Sequence, residues 1–145
     1  MNVGCGRDYK HGWINIDISP HVSTDFLMDI RKDLLPAKDR TVDEIYISGV
    51  LEQIGSNDEL LHAINECYRV LKDGGRMIVI VPNARYAIAH RDPMDVRKFT
   101  PETFAYFERS SQEYRLYGSV YGFPGWSQIS IAENERHIMT ISLIK

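Results

Sequence analysis

The feature that most constrains the fold is a strong helical pattern followed directly by a short apolar run. Across residues 57–72 the apolar positions recur on one helical face, namely Leu60, Leu61, Ile64, Cys67, Tyr68 and Leu71. Ser56 and Glu59 predict a capping box at its start, and Gly74 and Gly75 predict its end. The β-branched run at residues 76–81 predicts a strand buried on both faces.

Further strands are predicted on both sides of this helix in sequence. Residues 43–48 predict a strand, so strand, helix and strand form one βαβ unit with parallel pairing. Upstream lie three short apolar pieces, at residues 2–3, 13–16 and 25–28, and each ends near a glycine or an aspartate. The carboxyl ends of such strands are where open α/β sheets place their ligands.

The last third of the chain follows a different pattern. Thr100 and Pro101 predict the start of a helix that ends near residue 110, and residues 119–125 predict a loop. Alternating residues at 127–132 and 137–144 predict an antiparallel hairpin on a sheet edge. The predicted fold is therefore α/β, with a doubly wound, mostly parallel sheet, a C-terminal antiparallel hairpin and reduced helices on one face.

Composition excludes several classes of protein. The chain has 145 residues, with 17 basic and 20 acidic residues and a net charge of -3, which does not indicate a nucleic-acid partner. No apolar run approaches the roughly 20 residues that a membrane span needs. Two cysteines make no disulfide framework, and the five histidines lack metal-ligand spacing, so we predict no metal site. With no signal-peptide pattern at the start, we expect a cytoplasmic protein.

Glycines and acids follow three successive predicted strands. Gly4 and Gly6 flank Cys5 after the first strand, Asp17 ends the second, and Asp29 ends the third. Glycines let a backbone approach a ligand closely, and an acid at the end of the second strand is where ribose hydroxyls are usually held. Each residue alone is better explained by a tight turn or a solvated cap, but the three together favour a nucleoside site.

The order of these motifs resembles the class I S-adenosylmethionine-dependent methyltransferases. Residues 2–6, Asn-Val-Gly-Cys-Gly, are similar to that family's first motif, and residues 13–17, Trp-Ile-Asn-Ile-Asp, to its second strand. Asp29 and Ile30 resemble the acid and apolar pair beside the adenine. Residues 46–54 and 69–75 resemble the segment that follows the fourth strand and the turn before the fifth.

The resemblance implies S-adenosylmethionine as the cofactor and assigns residues to it. Asp17 would hold the ribose hydroxyls, Gly4 and Gly6 would contact the methionine part, and Asp29 and Ile30 would contact the adenine. Three neighbours of these residues complete the predicted cofactor site, namely Cys5, Ile18 and Ser48.

This sequence departs from the family pattern in its front half. Asn2 replaces the usual acid, and Asp8 stands where a third glycine is expected. The segments at residues 7–12 and 18–24 are too short for whole crossover helices. Gly49 and Gln53 replace two expected histidines, which removes two potential proton acceptors.

The predicted acceptor side lies in residues 84–145, and residues 1–83 form the cofactor-binding half of a single domain. We predict acceptor contacts from Glu52, His90 and Arg97. For any single charged residue in the segment 86–98, exposure to solvent without a functional role is the favoured explanation. For Glu52, a helix-start charge and an acceptor contact are equally favoured. The identity of the acceptor stays open.

Three functions remain to be compared. The first is methyl transfer from S-adenosylmethionine to an unknown acceptor. The second is a non-catalytic scaffold or interaction protein that has kept the fold. The third, nicotinamide-dependent oxidoreduction, is weaker because its fingerprint needs glycine where Tyr9 stands.

The predicted sheet has one face without enough helices to cover it. Two ways of burying that face are predicted. Either the aromatic segment at residues 114–126 folds back over it, or a second copy of the chain forms a homodimer, which we favour.

Overall fold

The computed structural model describes all residues from 1 to 145 as one seven-stranded sheet with few helices. The strands are β1 (Asn2–Val3), β2 (Asn15–Asp17), β3 (Phe26–Leu27), β4 (Val42–Ser48), β5 (Leu71–Pro82), β6 (Gln128–Glu133) and β7 (Ile138–Ile144). Their order is β3-β2-β1-β4-β5-β7-β6. Strands β1 to β5 pair in parallel, whereas β7 is antiparallel to both β5 and β6. The predicted fold class is confirmed.

The βαβ unit at the centre of the chain is confirmed with shifted boundaries. Helix α1 (Asn57–Val70) is capped at its start by Ser56, whose side chain accepts a hydrogen bond from the Glu59 backbone N–H. It ends two residues before the predicted end, because β5 already pairs with β4 at Leu71. The predicted Gly-Gly turn lies instead inside β5, where the register shifts and Gly74 has φ of 78°.

Downstream, the helical segments differ from the prediction. A 3-10 helix spans Pro101–Tyr106, so the predicted helix to residue 110 is too long. The region predicted as a loop at 119–125 begins in a helix, because a π-turn at Tyr114–Gly118 continues into Ser119–Tyr121. Two further 3-10 turns are Leu51–Gln53 and Ala87–His90. None of the helices combines the length and the apolar character that crossing a bilayer requires.

Only one face of the sheet is fully covered. Alternate residues of β5, Met77, Val79 and Val81, are buried and belong to the same core as α1, whereas Ile78 and Ile80 between them are partly exposed. The prediction that this strand is buried on both faces is therefore wrong. On the uncovered face, Ile78 and Ile80 pair with the polar residues Ser142 and Thr140 of β7. This face is therefore only partly apolar and can remain exposed.

The aromatic segment at residues 114–126 packs on the covered face. Trp126 is fully buried and contacts the ring of Tyr68 on α1 edge-to-face, with ring centroids 5.1 Å apart. The Gly122 carbonyl accepts a hydrogen bond from Asn65, also on α1. The predicted fold-back over the open face is therefore wrong, because these contacts draw the segment to the helix side. Homodimer formation through the open face stays a prediction, for which sedimentation at micromolar concentration is the measurement.

A buried acid on α1 holds the long connection between β3 and β4. The Glu66 carboxylate accepts the Leu35 backbone N–H at 3.0 Å and two hydrogen bonds from Arg69, each 2.8 Å long. Arg69 also donates to the carbonyls of Leu35 and Ala37. Although burial opposes it, the Arg69 guanidinium helps to keep the pKa of Glu66 below its ordinary value. This network fixes the chain that follows Asp29.

Candidate functional site

The glycine turn after β1 is held by an acid from β2. Gly4 and Gly6 have φ of 68° and 50°, a region that disfavours other residues. The Asp17 carboxylate accepts the Gly6 backbone N–H at 2.7 Å through Oδ2 and the Ser19 N–H at 2.8 Å through Oδ1. Asp17 is 9% exposed. It therefore fixes the turn, while each oxygen keeps a lone pair for a further donor.

Two adjoining cavities lie at the carboxyl ends of β1, β2 and β4. One, of about 210 Å³, is lined by five of the predicted residues, Gly4, Asp17, Ile18, Asp29 and Ile30. The other, of about 560 Å³, is lined by Gly4 and by the remaining three, Cys5, Gly6 and Ser48. Gly4 and Gly49 line both cavities. The structure thus brings all eight predicted cofactor residues to one continuous region.

The glycines keep this region open. A Cβ added to Gly6 or Gly49 would meet no atom within 4 Å, so both residues border free space. A Cβ added to Gly4 would lie 2.1 Å from Cγ2 of Val50, which itself lines the smaller cavity. The open region thus extends from Asp17 and Ile30 to the glycine turn.

The carboxylate of Asp29 is already engaged within the protein. Arg31 donates to it through Nε and Nη2, both at 2.8 Å, and through its backbone N–H at 3.0 Å. These bonds keep the pKa of Asp29 below its ordinary value. Because Arg31 already occupies this carboxylate, Asp29 has little capacity left to bind an adenine. The apolar side chains of Ile30 and Met28, which also line the cavity, make no such bonds.

Of the three predicted acceptor residues, only Glu52 is buried. It is 4% exposed, and its Oε2 has no hydrogen-bond partner. Burial raises the pKa of Glu52 to about 7 against the lowering effect of nearby backbone N–H groups, and the charges of Asp95 and Asp92 add smaller increases. A carboxyl group with such a pKa can hold or release a proton near neutrality.

Neither His90 nor Arg97 lines the cavity that Glu52 lines, although the Arg97 backbone N–H donates to the Glu52 carbonyl at 2.8 Å. The exposed His90 contacts the Ala84 carbonyl through Nε2 at 3.2 Å. The Arg97 guanidinium donates to the carbonyls of Ile54 and Gly55 and to Asn57. Arg97 therefore fastens residues 86–98 to the start of α1, which is a positioning role. An acceptor contact by either residue stays a prediction.

Sequence reasoning missed several lining residues. Val50, Ile54 and Met94 line the smaller cavity. Asp92 and Asp95 line a separate cavity with Glu52. The first two could have been found from their position directly after β4, whereas Met94 and the two acids come from a loop without regular spacing. In this structure no group of three or more histidine, cysteine or acidic side chains is arranged to hold a metal ion.

Comparison with known proteins identifies a family and a relative in sequence. The model of a methyltransferase domain family matches residues 1–79. An uncharacterized protein of Methanocaldococcus jannaschii is 32% identical over 144 residues, covering 90% of this chain. The chain spans 61% of that relative's length.

Solved structures share the fold. An S-adenosylmethionine-dependent methyltransferase of Archaeoglobus fulgidus has a TM-score of 0.71 at 16% identity, covering 99% of this chain and 84% of that one. One from Thermotoga maritima, described as a possible histamine N-methyltransferase, has a TM-score of 0.65 at 16% identity, covering 99% and 80%. At 16% sequence identity, these two matches show a shared fold.

Proposed function

Because the chain belongs to the methyltransferase domain family, we propose that it binds S-adenosylmethionine and transfers its methyl group to an acceptor. The observation that carries the proposal is the arrangement of Gly4, Asp17 and Ile30 around adjoining cavities at one edge of the sheet. The names of the Archaeoglobus and Thermotoga proteins support it by analogy.

Each part of the proposed site has a distinct task. Asp17 accepts the two ribose hydroxyls and at the same time holds the Gly6 amide, so it links the ligand to the turn. Gly4 and Gly6 admit the methionine part close to the backbone. Ile18 and Ile30 contact the adenine ring in the smaller cavity. Ser48, in the larger cavity, lies on the side of the methionine part.

The proposed reaction asks little acid–base chemistry of the protein. S-adenosylmethionine supplies a methyl group on a sulfonium, which makes direct displacement by a nucleophile possible. The chain must align the acceptor with that carbon and exclude water, which lowers the entropic part of the barrier. A proton acceptor is needed only where the nucleophile must lose a proton.

Replacing Asp17 by alanine is expected to weaken binding of S-adenosylhomocysteine by ~10-fold to ~150-fold. The change removes charged hydrogen bonds to the hydroxyls, which are worth about 1.5–3 kcal/mol. Isothermal titration calorimetry measures the dissociation constant directly. An unchanged value would remove Asp17 from the proposed site.

The matched control is Asp25→Ala. Asp25 also accepts a backbone N–H, that of Asn15 at 2.7 Å, and a hydrogen bond from the Tyr9 hydroxyl at 2.8 Å, but it lines neither cavity. This variant is expected to lose a similar local anchor and to keep its affinity for S-adenosylhomocysteine. Equal losses in both variants would mean that the effect comes from loosened loops.

S-adenosylhomocysteine is expected to raise the melting temperature by a few degrees where NAD has no effect. At ten times its dissociation constant, a ligand specific for the folded state adds about 1.4 kcal/mol. The short segment between Gly4 and Asp17 contains no helix whose N-terminus could receive a pyrophosphate. Stabilisation by NAD alone would favour an oxidoreductase, and stabilisation by neither ligand would favour a non-catalytic scaffold.

A further inference from the structure

A cavity outside the proposed cofactor site carries an unusual concentration of acids. It measures about 530 Å³ and is lined by Glu52, Asp92 and Asp95, with Arg91 as the one base among its lining residues. The rest of its wall is apolar and consists of Pro82, Ile88, Pro93 and Ile138. We call it the acidic cavity.

The buried carboxyl group of Glu52 is an independent sign of a ligand. Its Oε2 has no partner in the protein, although the residue is only 4% exposed. Leaving such an acceptor unpaired is costly, and native structures rarely do so without a functional reason. An added hydrogen-bond donor would satisfy it.

Two cations of the same loop that do not line the acidic cavity, Arg97 and Lys98, are committed elsewhere. The Arg97 guanidinium donates to Ile54, Gly55 and Asn57. The Lys98 ammonium donates to the carbonyls of Ala89 and Asp95. Neither group pairs with the carboxylates of the acidic cavity, so the acids outnumber the bases that face it.

The lining selects among cationic ligands. No three acidic or histidine side chains converge closely enough to hold a metal ion, which disfavours a divalent cation. An ammonium group needs only one or two carboxylates as partners. The apolar wall would contact an apolar body attached to that group. The chemistry therefore fits an organic amine.

The acidic cavity and the smaller cofactor cavity are built from the same two segments. In the turn Leu51–Gln53 and the residue after it, Glu52 lines the acidic cavity, whereas Gln53 and Ile54 line the cofactor cavity. In the loop of residues 92–95, Met94 lines the cofactor cavity and its neighbours line the acidic one. These two segments therefore form a common wall between the two cavities.

We propose that the acidic cavity binds the amino group of the methyl acceptor, an amine with an apolar body, and that Glu52 is its principal partner. This inference rests on the proposed methyl transfer. An incoming ammonium passes one proton to the Glu52 carboxylate, and the freed nitrogen lone pair forms the new N–C bond. The S–C bond of the donor breaks with its electron pair left on sulfur, and the surplus proton leaves for water.

The experiment compares benzylamine with benzyl alcohol and benzoate, which share one apolar body. Their binding to the wild-type protein, with and without S-adenosylhomocysteine, is measured by ligand-observed NMR titration. Benzylamine is expected to bind at least ~10-fold more tightly than the alcohol, as one charged hydrogen bond implies. Glu52→Gln is expected to abolish that preference, Asp95→Asn to reduce it, and the exposed Glu135→Gln to leave it unchanged.

Each outcome decides one of the two proposals. Equal binding of amine and alcohol, no binding of benzylamine, or a preference that survives both Glu52→Gln and Asp95→Asn would overturn the amine site. Asp95→Asn also supplies the answer if Glu52→Gln does not fold. Failure to bind S-adenosylhomocysteine, measured separately by calorimetry, would overturn methyl transfer while leaving the result for amine binding to stand.

Discussion

Replacing Glu52 by glutamine is expected to raise the free energy of unfolding by about 3 kcal/mol at pH 8 and by almost nothing at pH 4.5. Glu52 is a buried acid, and its Oε2 has no hydrogen-bond partner. Ionising it there is costly. Glutamine has the same shape and carries no charge, so the variant avoids that cost.

The direction of the pH dependence follows from the two pKa values of Glu52. Burial raises the pKa from 4.5 to about 7, and the charges of Asp95 and Asp92 act in the same direction. Between these two values the folded state binds more protons than the unfolded state, so wild-type stability falls as pH rises. This gap corresponds to about 3 kcal/mol at pH values well above 7.

Urea unfolding at pH 4.5, 6, 7 and 8 measures the difference in the free energy of unfolding between the wild type and Glu52→Gln. Glu135→Gln, an exposed acid in the β6–β7 turn, is the control and is expected to follow the wild-type curve. Parallel curves for the wild type and Glu52→Gln at all four values of pH would mean that Glu52 ionises freely in the folded protein. That result would also weaken the case for an unmet hydrogen bond in the acidic cavity.

Gly4→Ala is expected to lower the free energy of unfolding by about 3 kcal/mol and to weaken binding of S-adenosylhomocysteine. The residue has φ of 68°, where a side chain costs ~1–2 kcal/mol. Its new Cβ would lie 2.1 Å from Cγ2 of Val50, and relieving such an overlap costs about 1–3 kcal/mol. The moved Val50 would also change the shape of the smaller cavity.

Gly6→Ala separates these two costs. Gly6 has φ of 50°, but a Cβ there meets nothing within 4 Å, so only the backbone cost of about 1 kcal/mol is expected. Combining Gly4→Ala with Val50→Ala should recover the steric part in a double-mutant cycle. If Gly4→Ala were no worse than Gly6→Ala in denaturant unfolding, the close approach of Gly4 to Val50 would not be a constraint.

The sequence predicted those parts of the fold that depend on local patterns. The helical spacing that starts after Ser56 and the alternation in the last strands each indicate one structure, because neighbouring residues determine them. The predicted cofactor residues lie together for a related reason: Gly4, Asp17 and Asp29 each lie at or just after the end of a strand, and parallel strands bring their ends together.

What the sequence could not predict depends on distant contacts. The run from Met77 to Val81 has the same composition whether one or both of its faces are covered, so its local pattern could not settle its burial. The path of the aromatic segment is set by the contact between Trp126 and Tyr68, far apart in sequence. Likewise, the acids of residues 86–98 gain significance only beside Glu52, which belongs to another segment.

The unequal strand lengths imply that the sheet does not open as one cooperative unit. β1 and β2 share two residue pairs, and so do β2 and β3, whereas β5 and β7 share seven. Amide hydrogens in the first half of the sheet are therefore expected to exchange with solvent through small openings, and those of β5 and β7 mainly through global unfolding. The proposed cofactor site spans the half expected to open first, so part of the binding free energy would be spent on closing it.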